Sequence, residues 1–208
     1  MKKEDGNPHS PIWLIGDSEP HKLASILEFP LDSRHPTRHN IWTPILDQIQ
    51  EVVFTQKLNR LSQNAFYIRN AVSNSELKKN LTSSSKNLDR EINELNELFN
   101  RYKPKLIFSF GSFSFEFCRR ALNETVKHAP SYWSVERLNN EFTARIASTT
   151  SLIPLLHAVI ARGQFMLCHQ TFSGNTGNYF SHTGSLLAER ILYECGDRSD
   201  VWMHNANK

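Results

Sequence analysis

Four short apolar runs constrain this chain more than any other feature: residues 11–15 (PIWLI), 65–69 (AFYIR), 105–110 (KLIFSF) and 165–168 (FMLC). Each is brief and bounded by turn formers, the pattern of a buried strand. Between them lie segments with apolar residues at helical spacing. Ile41, Ile45, Leu46, Ile49, Val52 and Val53 mark one, and Leu88, Ile92, Leu95, Leu98, Phe99 and Tyr102, closed by Pro104, mark another. Phe113–Leu122, with Arg119 and Arg120 where a helix dipole favours cations, and Gly184–Glu194 mark two more. This alternation predicts an α/β protein, a three-layer αβα arrangement around a central, mainly parallel four-stranded sheet. Glu141–Thr150 fits either strand or helix, and Leu152–Ala161 reads as core. The Ser75–Ser85 segment reads as a polar surface excursion. The expected organisation is a flexible leader over 1–10, one domain over 11–195 and a tail over 196–208.

The ends of the apolar runs are where chemistry is expected, because ligands of open α/β sheets bind beyond the carboxyl ends of the strands. The first run leads into Gly16-Asp17-Ser18-Glu19-Pro20-His21. Helix capping accounts for one of its two acids but not easily for both. The second run ends near Asn70 and the third in Gly111-Ser112. The fourth ends in His169, followed by a small-residue loop whose Thr171 and Ser173 can approach an anion with backbone N–H and hydroxyl groups. Pro30, Pro36 and Pro44 break up the stretch Leu27–Thr43. There Arg34, His35, Arg38 and His39 form a cationic cluster able to reach phosphates, or simply a solvated basic loop. His157 lies in an apolar run and reads as a core histidine.

Charge and cysteine usage bound the partners. A formal charge of +3 and a pI near 8.8 permit an anionic partner without demanding one. Cys118, Cys168 and Cys195 are scattered and odd in number, which fits reduced thiols of a cytoplasmic protein better than a disulfide framework or zinc site. No run approaches the ~20 apolar residues of a membrane span, and MKKEDGNPHS carries no apolar signal segment. There is no G-x-G-x-x-G, no P-loop and no H-E-x-x-H.

In order, these motifs resemble the uracil-DNA glycosylase superfamily over roughly residues 11–194. The Gly16–His21 stretch is similar to that family's first acidic loop, and Pro36-Thr37-Arg38-His39-Asn40-Ile41 to its Pro-Ser-type segment. Phe29 falls where the family has an aromatic that stacks on the base, Asn70 where an asparagine reads the base edge, and Gly111-Ser112 at the end of the third strand. His169-Gln170-Thr171 through Phe180 is similar to its final His-Pro-Ser motif, with Gln170 in place of the proline. The first loop has one residue more before its proline, which leaves both Asp17 and Glu19 as candidates for directing water; Asp17, next to the strand-ending glycine, is favoured.

What the resemblance implies is a monomeric DNA glycosylase acting in DNA repair without a metal or other cofactor. Asp17, Glu19 and His169 would be catalytic, and Gly16, Ser18, Phe29 and Asn70 would hold a flipped base. Arg34, Arg38, Gly111, Ser112, Arg162, Thr171 and Ser173 would contact phosphates. A carboxylate near the sugar offsets oxocarbenium charge and holds water, while a histidine hydrogen-bonds the developing base oxyanion; the extruded base needs a stacking surface and an amide-type reader. Two alternatives stand beside it. One is a domain of the same fold that binds nucleic acid or a nucleotide without cutting it. The other is an SGNH-type esterase using Ser18 of Gly16-Asp17-Ser18, for which the only late acid–histidine pair, Asp200 and His204, has the wrong spacing.

Overall fold

A computed structural model describes residues 1–20, 25–35, 38–82, 86–157, 164–174 and 178–203. Its strands are β1 (Glu4–Gly6), β2 (Ile12–Ser18), β3 (Phe66–Val72), β4 (Leu106–Phe110) and β5 (Leu152–Leu155), and they form one sheet in the order β1-β3-β2-β4-β5. β2 pairs in parallel with β3 and β4, and β4 with β5. β1 runs antiparallel along β3. The helices are α1 (Thr43–Lys57), α2 (Lys86–Tyr102), α3 (Gly111–Ala121), α4 (Val135–Ile146), α5 (Gln164–Phe172) and α6 (Tyr179–Cys195). The protein is therefore α/β with a mixed five-stranded sheet, not a sheet of four.

The period of two along β2 and β3 sends alternate side chains to opposite faces. Trp13 and Tyr67, paired across the strands, face α2: the Trp13 ring lies 4.5 Å from Tyr67, 5.6 Å from Phe99 and 6.1 Å from Tyr102. Phe66 and Phe110 meet Trp42 at 5.4 and 6.0 Å, just ahead of α1. α1 packs along α6, and α2 along α3. Burying each such aromatic stabilises the fold by ~1.5–3 kcal/mol relative to leaving it exposed.

Two strand assignments change. Phe165–Cys168 belongs to α5, where the Thr171 hydroxyl donates to the Leu167 carbonyl at 2.8 Å in a helical back-bond. A four-residue apolar run cannot be told from a buried helical segment by periodicity alone. The last strand is instead Leu152–Leu155, inside the stretch read as core. Its Pro154 argues against a central strand but suits an edge, and β5 is an edge strand, with Pro154 opposite Ser109. Glu141–Thr150 contributes mainly helix, in α4.

The leader also carries structure. β1 is tied down by ion pairs from Arg69, which is 2% exposed, to Glu4 and Glu94, and from Lys3 to Glu91. The Asn70 backbone N–H donates to the Lys3 carbonyl at 2.9 Å. Ser75–Thr82 of the polar excursion is a 3-10 helix resting on the ends of β2 and β3. Near the C-terminus, Val201 and Trp202 are buried against the Leu61 region. Among the described residues no helix is long and apolar enough to cross a membrane.

Candidate functional site

The carboxyl ends of β2, β3 and β4 and the residues after β5 meet in one cleft. Gly16, Asp17 and Ser18 come from β2, Asn70 from β3, Phe110 from β4, and His157 follows β5 by two residues. Leu14 and Ile68 lie beneath, and Met1, Pro20, Pro30, Leu31 and His35 complete the walls around a cavity of about 40 Å³. Parallel strands place these positions at one edge, which is why residues far apart in sequence converge there.

Asp17 is the electrostatic centre. One carboxylate oxygen, Oδ1, accepts from the Ser18 backbone N–H at 2.6 Å and lies 3.8 Å from His157 Nε2. The other, Oδ2, accepts from Lys78 Nζ at 2.9 Å. Lys78 reaches it from the 3-10 helix Ser75–Thr82. Burial, the largest influence, pushes the His157 imidazole below its ordinary pKa; Asp17 opposes this and Lys78 reinforces it. His35 is also held low, first by burial and then by the neighbouring His157. Both rings are therefore neutral at pH 7, each with one N–H donor and one acceptor nitrogen.

Two glycines make the convergence sterically possible. Gly111 has φ +85°, and a Cβ there would stand 2.8 Å from His157 Cβ. The start of α3 can lie against His157 only because that atom is missing. A Cβ on Gly16 would stand 2.8 Å from Asn70 Oδ1, so the glycine leaves room for the Asn70 side-chain amide across the strand pair. The turn that carries Pro30, Leu31 and His35 is organised by Asp32. This buried carboxylate accepts the Glu28 and Arg34 backbone N–H groups at 3.1 and 2.9 Å and the Arg34 guanidinium in a two-pronged pair. Arg34 holds the Asp32 carboxyl well below the usual carboxylate range.

Of the residues singled out in the sequence, Gly16, Asp17, Ser18 and Asn70 line the cleft, and Gly111 backs His157. Ser112 is in the first turn of α3. Glu19 is turned to the Met1 ammonium at 3.3 Å and does not line the cleft. Phe29 is half-buried beside it; Pro30 and Leu31 form the wall instead. Arg34 is committed to Asp32, and Arg38 donates to the Leu31 carbonyl at 2.9 Å while lining a neighbouring groove that shares Leu31 and Ile68 with the cleft. Arg162 lies outside the described residues, as do Pro36, Thr37 and His204.

His169 is the main correction. It lies in α5, not at a strand end, buried against Tyr179 at 4.6 Å and Phe180 at 5.1 Å, and burial holds its imidazole low. Thr171 is exposed on the same helix and Ser173 is buried just beyond it; neither lines the cleft. The histidine at the end of the last parallel strand is His157. Its signal was its position at the end of the apolar run Leu152–Leu156, masked by Pro154. His35, which lines the cleft, and Lys78, which reaches Asp17 without lining it, were also not singled out as site residues. His35 comes from an irregular turn and Lys78 from a short 3-10 helix, and no periodicity brings them to the strand ends.

The assembly of carboxylate, amide and imidazole can orient a water molecule and donate hydrogen bonds to a polar ligand. Compared with known proteins, the chain matches no family model and no curated protein sequence.

Proposed function

We propose that the protein hydrolyses the N-glycosidic bond of a base flipped from DNA, as a divergent relative of the uracil-DNA glycosylase superfamily. The observation that carries this reading is the meeting of Asp17, Asn70 and His157 in one cleft, at the ends of three parallel strands. In the reaction Asp17 holds the attacking water and offsets positive charge on the sugar. Asn70 reads the base edge with its amide. His157, neutral, donates to the oxyanion that develops on the departing base and takes the role expected of His169. Phe110, Pro30 and Leu31 offer the apolar surface expected of Phe29.

The same reading takes the fold as three-layered, with α2 covering the Trp13–Tyr67 face and α1 the Phe66–Phe110 face. It takes the working protein as a cytoplasmic monomer, with Arg38 beside the phosphates of the bound strand. A cavity needs roughly 10–15 Å³ to hold a water, so the cleft's 40 Å³ admits water but not a base. Base entry therefore requires displacement of the turn that carries Pro30, Leu31 and His35. A second reading, a domain that binds nucleic acid or nucleotide without cutting, is favoured by one observation: both Asp17 oxygens are already engaged.

A panel of oligonucleotides carrying uracil, mismatched and modified bases, run beside a p-nitrophenyl ester, separates these readings. Glycosylase action yields free base and an abasic product, and Asp17→Asn abolishes both. Salt-sensitive binding with no abasic product selects the binding domain. Ester hydrolysis lost in Ser18→Ala overturns both in favour of an esterase.

A further inference from the structure

We propose that Lys78 is a nucleophilic amine that forms an imine with the aldehyde of an abasic deoxyribose, giving this site a strand-cleaving lyase activity. The inference rests on reading the cleft as one that accommodates the deoxyribose beside Asp17. Its basis is the position of Nζ. Oδ1 of Asp17 accepts from the Ser18 N–H, and the position beside Oδ2 is taken by Lys78 Nζ at 2.9 Å. A carboxylate that aims water at the sugar C1′ aims an amine at that place equally well. The lysine side chain is 34% exposed and Asp17 20%, so both are open to a ligand. Lys3 and Lys57 are held elsewhere: Lys3 pairs with Glu91 and Glu94, and Lys57 donates to the Gly196 carbonyl. The short 3-10 helix Ser75–Thr82 points Lys78 at Asp17 from the ends of β2 and β3.

The chemistry balances without a redox partner. Asp17 accepts a proton from the Lys78 ammonium, and the free amine pair attacks C1′ of the ring-opened aldehyde. The nitrogen of the adduct passes one proton to its oxygen, Asp17 returns the proton it took, and the oxygen leaves as water, giving a protonated imine. That cation acidifies the C2′ hydrogen, which the neutral His157 removes as base. The C–H electrons form the C2′–C3′ double bond, the C3′–O bond breaks, and the phosphate departs with its electron pair. Water then hydrolyses the imine, releasing an unsaturated aldehyde and regenerating Lys78.

The test uses the full chain and an oligonucleotide in which the abasic site is already formed, with sodium borohydride to reduce any imine to a stable secondary amine. The expected result is a covalent protein–DNA adduct that peptide mass mapping places on Lys78. Lys78→Met and Lys78→Arg should each reduce trapping at least 100-fold, with melting temperatures near that of the parent chain. Absence of adduct from the parent chain, or an adduct mapped to another lysine, overturns the proposal. Mapping is done on the parent chain, so the outcome does not depend on a variant folding. Because the abasic site is preformed, the result is also independent of base release. Base release without trapping removes the lyase and leaves the glycosylase reading standing; trapping without release supports the lyase and removes the base-excision step.

Discussion

His157 is held neutral by burial although a carboxylate lies 3.8 Å away. That neutrality sets the expected pH profile. The ordinary imidazole value is about 6.5, and the folded value lies below it. Strand cleavage at an abasic site should therefore be flat through neutral pH and fall only on the acid side of 6.5, as the ring protonates and loses the acceptor nitrogen that removes the C2′ proton. Measuring kcat/KM from pH 4 to 9 checks this, and an acid limb centred above 7 would contradict it. Gly111 carries a second residue-scale expectation. Gly111→Ala forces a side chain into φ +85° and to within 2.8 Å of His157 Cβ. Stability should fall by ~1–3 kcal/mol, read from urea midpoints. Base release should fall further than stability explains, because His157 is displaced.

At the scale of elements, the edge strand β1 is held by charge more than by apolar packing. Its ion pairs converge on Arg69, 2% exposed, whose guanidinium meets two half-exposed carboxylates. Arg69→Ala leaves those carboxylates facing a buried gap and should destabilise by ~2–4 kcal/mol. Lys3, 18% exposed against 2% for Arg69, is the less deeply buried cation, so Lys3→Ala should cost less than Arg69→Ala. Urea denaturation of both variants tests the contrast; equal losses would mean that β1 is held otherwise. The parallel core was legible at this scale because Ile12–Ile15, Phe66–Ile68 and Leu106–Phe110 are apolar runs whose ends carry turn residues. β5 was hidden by Pro154, acceptable only on an edge that the sequence does not announce. α5 was mistaken for a strand because Phe165–Cys168 is too short to display a period. Asp17 and Asn70 were readable at their strand ends. His157 could not be placed there until β5 was, and Lys78 reaches Asp17 only through tertiary packing of the Ser75–Thr82 segment.

For the whole molecule, acid acts in two ranges. His35 and His157 have folded pKa values below their unfolded ones, so the unfolded chain binds more protons between the two values. Their contribution is fully present above pH 6.5 and is lost as pH falls from there toward the folded values. Asp32, Glu94 and Glu124 are likewise held low by arginine partners. Their contribution is lost only below the ordinary carboxylate range near 4. Thermal midpoints should thus decline gently below pH 6.5 and steeply below pH 4; a single step near 4 would show that the buried histidines carry no linkage. With a net charge of only +3 and Arg34 engaged by Asp32, DNA affinity should weaken with salt on a shallow slope. About two to four phosphate contacts correspond to a log–log slope of roughly −2 to −4. The central claim is that the Asp17–His157 cleft cleaves an N-glycosidic bond, and single-turnover base release by His157→Ala and His169→Ala tests it most directly. Free base is expected from at least one oligonucleotide of the panel, with at least 100-fold slower release in His157→Ala and near-parental release in His169→Ala. No base from any oligonucleotide, or a loss confined to His169→Ala, would contradict it.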